Sequence, residues 1–219
     1  MGFYFQLNQM VEQDLVEAYF ESNGFLVRQA PVPTQSLNQG KKKLDALPAI
    51  TVLNPRARQN DHLLNTRLFS ADLSKIHAAR VATLGWENSS FSVASLTSDI
   101  QLMKFFKQEM DSNRIQSCFA MDQVYRDAGI TDSLKILVVP ALPKGFDRVQ
   151  KLNQRFEELE VDGVLTLRSI LENLLRQSQP SFTYDGHEVM QTLRLVKAYG
   201  LSKDPQLEIF NDSTGKDSL

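Results

Sequence analysis

The residues best suited to chemistry in this sequence are basic. Lys41, Lys42 and Lys43 are consecutive, and Arg56 and Arg58 follow further along the chain. Clustered cations of this kind bind the phosphates of nucleic acids. Because the net charge is −2 over 219 residues, no overall field attracts a polyanion, so nucleic-acid binding has to come from a local patch. Short lysine runs also occur in solvated loops, and the sequence leaves both interpretations open.

Motifs of the common enzyme classes are absent from the sequence. It contains no GxxxxGK[ST], GxGxxG, GxSxG or HExxH, so nucleotide-binding proteins, hydrolases with a nucleophile elbow and zinc proteases have no support. His62, His77 and His187 are far apart in the chain, and they have neither the spacing nor the cysteine partners of a metal site.

The sequence also predicts where the protein works. Cys118 is the only cysteine, which excludes an internal disulfide and fits a reducing compartment. No apolar run approaches the length of a bilayer span, and the N-terminus lacks the basic start and apolar block of a secretory signal. We therefore expect a cytoplasmic protein without membrane contacts.

The elements that must position these residues alternate between helix and strand. Apolar periodicity predicts helices over residues 8–22, 96–111, 121–127, 147–159, 168–177 and 188–199, and strands over residues 25–30, 44–55, 79–86, 134–139 and 163–167. Asn23-Gly24 is expected to end the first helix, and Thr97 or Ser98 to cap the second.

Together these elements predict one α/β domain over residues 1–201, with a central mixed sheet of about five strands flanked by helices. The N-terminal strands form a hairpin, whereas the strands that alternate with helices in the C-terminal half are largely parallel. Residues 34–43 are expected to form an exposed loop, residues 56–78 a connection with helical pieces, and residues 202–219 a flexible tail.

Two stretches near the N-terminus carry a family resemblance. The predicted first helix contains EQDLV, which begins at Glu12, and the following turn and strand read GFLVR, which begins at Gly24. A basic loop, a strand that opens with Asp45 and a strand that ends near Gly85-Trp86 follow in that order. This order and these stretches, within residues 8–90, resemble the PD-(D/E)xK nuclease superfamily, and in particular its Holliday-junction-resolvase-like members.

The resemblance implies a restriction-endonuclease-like core over residues 8–110 and an α/β extension over residues 111–201. In such nucleases carboxylates hold one or two Mg²⁺ ions, which neutralise the scissile phosphate and lower the pKa of the attacking water. Asp45 matches the acid of the second strand and Glu12 matches the helix acid found in some members. Glu87 is the best candidate for a third catalytic acid.

The third strand departs from the family pattern. The superfamily places (Asp/Glu)-x-Lys there, but Ala82 stands where the acid belongs and Leu84 where the lysine belongs. Three interpretations follow: a nuclease-fold protein that lost catalysis and kept a nucleic-acid-binding or scaffolding role, an active Mg²⁺-dependent DNA endonuclease with migrated residues, and an unrelated α/β protein-interaction domain.

The resemblance also implies how DNA is bound. Arg28, the lysines Lys41, Lys42 and Lys43, and Trp86 are the candidate contacts, and a homodimer would suit a substrate with two-fold symmetry. Each residue has a plainer interpretation as well. Arg28 can pair with a carboxylate, Trp86 can belong to the core, and Glu12 can favour the first turn of its helix through the helix dipole.

Overall fold

A computed structural model of the protein describes residues 11–29, 47–61, 65–120, 130 and 132–202. The predicted loop at residues 34–43, the predicted short helix at residues 121–127 and the predicted tail beyond residue 202 lie outside these ranges.

The described strands form one mixed sheet. They are β1 (Leu26–Gln29), β2 (Ala49–Leu53), β3 (Ala78–Thr83), β4 (Leu134–Val139) and β5 (Gly163–Thr166), in the order β1-β2-β3-β4-β5. The first three strands pair antiparallel, and β3, β4 and β5 pair parallel. The predicted α/β class, with a five-stranded mixed sheet, an N-terminal hairpin and a parallel C-terminal half, is confirmed.

Helices cover both faces of this sheet. The described α-helices are α1 (Val11–Ser22), α2 (Val93–Thr97), α3 (Asp99–Glu109), α4 (Ser112–Cys118), α5 (Phe146–Glu158), α6 (Leu167–Gln177) and α7 (Glu188–Ala198), and a 3-10 helix covers Ser70–Lys75. None of the helices within these ranges has the length and apolar character needed to cross a bilayer.

Helix α1 ends at Asn23-Gly24, as the sequence predicts. Gly24 has a φ of +87°, a left-handed conformation that glycine adopts without steric cost. The N–H of Gly24 donates to the carbonyl of Glu21, and the N–H of Phe25 donates to that of Phe20, which is the Schellman pattern. The rings of Phe20 and Phe25 meet edge to face at 5.3 Å, so an apolar contact closes the cap.

The sheet separates two apolar cores because successive strand residues point to opposite faces. Val81 and Ile136 face α1, α6 and α7, whereas Ala82 and Leu137 face α3, α4 and α5. All six residues of β3 are buried, as expected for a central strand that is covered on both sides.

Some predicted boundaries were wrong. The third strand ends at Thr83 rather than at Trp86, and the chain bends and turns at residues 86–88. Ser98 caps α3, as one of the two predicted caps, but a separate short helix, α2, precedes it. The sequence analysis also missed α4, whose first turn is capped by Asp111 through its bond from the N–H of Arg114 at 3.0 Å.

Asn60 fixes the start of β3. Its Oδ1 accepts hydrogen bonds from the N–H groups of His77 and Ala78, at 2.8 and 3.0 Å, and its Nδ2 donates to the carbonyl of Asp132 at 3.0 Å. The side chain is buried, so no solvent replaces it as the partner of these backbone groups. One amide thus joins the connection after β2 to the starts of both β3 and β4.

Replacing Asn60 by alanine is expected to lower the free energy of unfolding by about 2 kcal/mol, because two backbone donors lose their buried acceptor. Urea denaturation measures the effect. Asn113→Ala, on the exposed side of α4, is the matched control and should stay within about 0.5 kcal/mol of the wild type. Equal effects of the two variants would show that Asn60 carries no special role.

Candidate functional site

Glu12, the predicted helix acid, lies against the chain that follows β3. Its Oε1 accepts a hydrogen bond from the N–H of Trp86 at 2.8 Å, and its Oε2 accepts one from the N–H of Glu87 at 3.3 Å. The residue is 7% exposed. A carboxylate in the first turn of α1 thus holds the turn at residues 85–87, much as an acidic side chain caps the free N–H groups of a helix.

Gly85 makes this approach feasible. An ideal Cβ at position 85 would overlap the Glu12 carboxylate, whose Oε1 lies 2.7 Å from it. The requirement for glycine is therefore steric, since a side chain of any size would displace the carboxylate from the two N–H groups.

Burial raises the pKa of Glu12 above its ordinary value. The backbone N–H groups of Trp86 and Glu87 oppose this shift, and the nearby charge of Glu87 adds to it. The structure thus brings together Glu12 and Glu87, two of the three predicted catalytic acids. Asp45, the third, lies outside the described residues, as do Lys41, Lys42 and Lys43.

A second set of contacts holds the loop at residues 86–92 from the other side. Arg114 donates to Glu109 at 2.7 Å and to the carbonyl of Asn88 at 2.7 Å, while Glu109 accepts from the N–H and the hydroxyl of Ser90. Although burial opposes it, the bonds from Ser90 and the pair with Arg114 lower the pKa of Glu109. The loop that carries Trp86 is therefore fixed both from α1 and from α3 and α4.

The two positions at which the resemblance would place (Asp/Glu)-x-Lys are interior. Ala82 and Leu84 are fully buried, and both belong to the core between the sheet and α3, α4 and α5. Ala82 is paired with Ala49 of β2, which fixes the register that the sequence left undetermined. In that register apolar side chains fill this part of the sheet.

The described residues contain no group of three or more histidine, cysteine, aspartate or glutamate side chains placed to hold a metal ion. His77 lies 3.3 Å from the carbonyl of Asn54, and His187 lies 3.5 Å from a carboxylate oxygen of Glu21. Cys118 is buried, and burial raises the pKa of its thiol, so it is not a reactive nucleophile.

The sheet aligns basic side chains that the sequence analysis did not connect. Arg28, Thr51, Arg80 and Lys135 occupy directly paired positions on four successive strands, so they share one face of the sheet. Arg80 is buried and donates to the hydroxyl of Thr51 at 3.1 Å and to the carbonyl of Cys118 at 2.9 Å. The one signal in the sequence was an arginine within the otherwise apolar stretch ARVATL.

Trp86 combines packing with exposure. Its ring meets that of Phe91 edge to face at 4.8 Å, and 40% of the residue is accessible to solvent. The plainer interpretation, a packing role at the edge of the core, agrees with this contact. The exposed part of the ring is still available for a ligand.

An acidic cleft of about 250 Å³ lies between α1 and the start of α7. It is lined by Asp14, Glu17 and Glu21 from α1 and by His187 and Glu188 at the other wall. Burial raises the pKa of Asp14, and the like charge of Glu188 adds to that shift. The cleft is the negative counterpart of the basic residues on the opposite face of the sheet.

No family model, no curated protein and no solved structure matches this chain.

Gly85→Ala is expected to lower the free energy of unfolding by about 2 kcal/mol, because the added methyl group overlaps the Glu12 carboxylate. Gly145→Ala is a matched control, since an added Cβ there meets its nearest atom at 3.5 Å. In a Glu12→Ala background the Gly85→Ala change should cost clearly less. Urea denaturation of the wild type, Gly85→Ala, Glu12→Ala and the double variant measures this coupling. If the two single effects add up to that of the double variant, the contact is contradicted.

Glu12→Gln is expected to change how stability depends on pH. Because the pKa of Glu12 is raised in the folded protein, folding favours its protonated form, and that contribution is lost as the pH rises through the raised pKa. The wild type should therefore lose stability relative to Glu12→Gln as the pH increases from about 4.5 to neutrality. Urea denaturation of both proteins across this range tests the sign, and the opposite trend would show a lowered pKa.

Proposed function

We propose that this protein binds nucleic acid through a PD-(D/E)xK-like fold without hydrolysing it. The order of elements supports the restriction-endonuclease-like core that the sequence resemblance implies. A helix with an early acid, α1, precedes three antiparallel strands, and a helical connection then leads to β4, which runs parallel to β3.

The observation that carries the proposal is the burial of Ala82 and Leu84. Their relative exposure is 0%, and the rings of Phe91 and Phe105 belong to the same apolar cluster. In the superfamily these two positions carry a carboxylate, which binds a metal ion, and a lysine ammonium group, which acts at the phosphate. Two apolar side chains sealed in a core supply neither charge.

Hydrolysis of a phosphodiester by this fold depends on hard oxygen ligands that converge on Mg²⁺. Glu12 uses both carboxylate oxygens for backbone N–H groups of the turn at residues 85–87, so its role there is structural. The alternative of an active endonuclease requires Glu12 and Glu87 to share a metal ion with Asp45, and to do so without the lysine of the motif.

One observation favours a second candidate, a protein-interaction or scaffolding role. Large apolar side chains are exposed around the last described helix: Phe182, Leu195, Tyr199 and Leu201, each at least 47% accessible. Such a patch suits a protein partner or a second copy of this chain. Sedimentation velocity of the purified protein distinguishes a homodimer from a monomer.

The wild-type protein is expected to bind labelled single-stranded DNA equally well in EDTA and in Mg²⁺, and to yield no cleavage product from that strand or from branched DNA with Mg²⁺ or Mn²⁺. The reason is that phosphate binding by basic side chains needs no metal, whereas cleavage does. Fluorescence anisotropy measures binding, and denaturing gels of the same samples measure cleavage.

Asp45→Ala is the matched variant for this experiment and should behave like the wild type in both assays. Mg²⁺-dependent cleavage that disappears in Asp45→Ala would establish the active endonuclease instead. If neither DNA binds under any of these conditions, the nucleic-acid function is wrong and the interaction role takes its place.

A further inference from the structure

A groove of about 710 Å³ lies between α3 and α5, on the face of the sheet opposite α1. Its walls are basic: Lys104 and Lys107 come from α3, and Lys151 and Arg155 come from α5. The remaining described residues that line it are the apolar Met103, Phe106 and Leu152. None of the described residues that line the groove is acidic.

Asp99 ties the two helices together at one end. Its carboxylate accepts from the N–H groups of Lys144 and Gly145, at 3.1 and 3.0 Å, and from the guanidinium of Arg148 at 3.2 Å. These hydrogen bonds from Gly145 and Lys144 lower the pKa of Asp99, with a further contribution from Arg148. The start of α3 is thereby joined to the start of α5.

Arg155 ties the helices at the other end by donating to the carbonyl of Met110, which follows α3, at 3.0 Å. Between the two ties the rings of Phe106 and Phe156 meet edge to face at 6.3 Å. Both helices therefore run side by side in the same direction, and these contacts fix the shape of the groove between them.

The cations of the groove are available for an anion. Lys104, Lys107 and Lys151 are exposed and form no ion pair within the part of the chain that the structure describes. Arg155 pairs with Glu158 at 2.8 Å, but it still faces the groove. Four cations on two walls, without a lining carboxylate, give a local positive potential although the whole chain is slightly negative.

We propose that this groove binds the phosphate backbone of a single nucleic-acid strand, an inference that rests on the proposed nucleic-acid function and assigns it a surface. Each wall presents two cations one helical turn apart, about 5 Å along the axis, so each can contact phosphates in succession. The axes of packed helices lie about 8–10 Å apart, so cations on the two walls can contact one phosphate backbone from both sides.

The floor of the groove argues against a protein ligand. Phe106 and Leu152 are 2% exposed, and Met103 is only partly accessible. An amphipathic helix docks through a row of apolar anchors and needs a wider apolar surface than this. Among the described residues that line the groove, none offers an open aromatic face for base stacking either, so the strand is held through its phosphates and the binding is independent of sequence.

The double charge reversal Lys104→Glu/Lys151→Glu, one residue from each wall, tests the groove in the full chain. At physiological salt it should weaken binding of a fluorescein-labelled oligothymidine about tenfold or more and lower the slope of log K against log salt by about 1.4, for two lost phosphate contacts. Lys104→Arg/Lys151→Arg should bind within about threefold of the wild type, because it keeps both charges.

Arg168→Glu/Arg176→Glu on α6 is the matched control, since it makes the same change in net charge on the other helical layer. It should leave the affinity within about threefold of the wild type. Equal weakening by both double variants would overturn the groove as the binding surface.

Further outcomes separate this inference from the proposed function. If the wild type binds the strand but the groove variant binds it equally well, the groove assignment is wrong and the nucleic-acid function stands. If the wild type binds neither strand nor duplex, both are wrong. Polyglutamate that competes as well as the oligothymidine would indicate an acidic protein partner, and a duplex that binds as tightly through the same lysines would overturn the single-strand assignment.

Discussion

The contact between Glu12 and the backbone at residues 85–87 is the constraint on which the N-terminal half of the fold depends. A carboxylate taken out of water has to be compensated by hydrogen-bond donors, and here they are two N–H groups of a turn. This requirement places the start of α1 at the end of β3, where a Cβ at position 85 would overlap the carboxylate. The acid that the family resemblance assigns to metal binding thus has two backbone N–H partners, and positions 82 and 84 of the same region are apolar.

Local features of the fold could be predicted from the sequence because their signals are local. Asn23-Gly24 gave the end of α1, and the apolar run over residues 134–139 gave β4 with its bounds. The features that were missed depend on partners distant in sequence. Arg80 joins a basic row only through strand register, and the turn at Gly85 is explained only by a carboxylate on α1. Of the candidate site, the family resemblance suggested Glu12 and Glu87 as catalytic acids, but nothing in the sequence indicated that Glu12 accepts hydrogen bonds from the N–H groups of Trp86 and Glu87.

The net charge did not predict the basic groove between α3 and α5. It adds together positive and negative charges that the fold places on different surfaces. The layer that contains α1 and α7 carries the acidic cleft, whereas α3 and α5 on the other layer form the basic groove. The sheet and its two apolar cores lie between them, so the two sets of charges do not neutralise one another. A polyanion that reaches the groove therefore meets cations, whereas one that reaches the cleft meets carboxylates.

The pairing of β3 with β4 has a consequence for the order of folding. β1, β2 and β3 pair antiparallel as successive strands, whereas β4 joins β3 in parallel only after the long helical connection through α2, α3 and α4. Closing that connection costs chain entropy before the apolar faces of β4 contribute any stabilisation. β4 therefore docks late, and until it does the exposed edge of β3 is the surface most prone to pair with another chain.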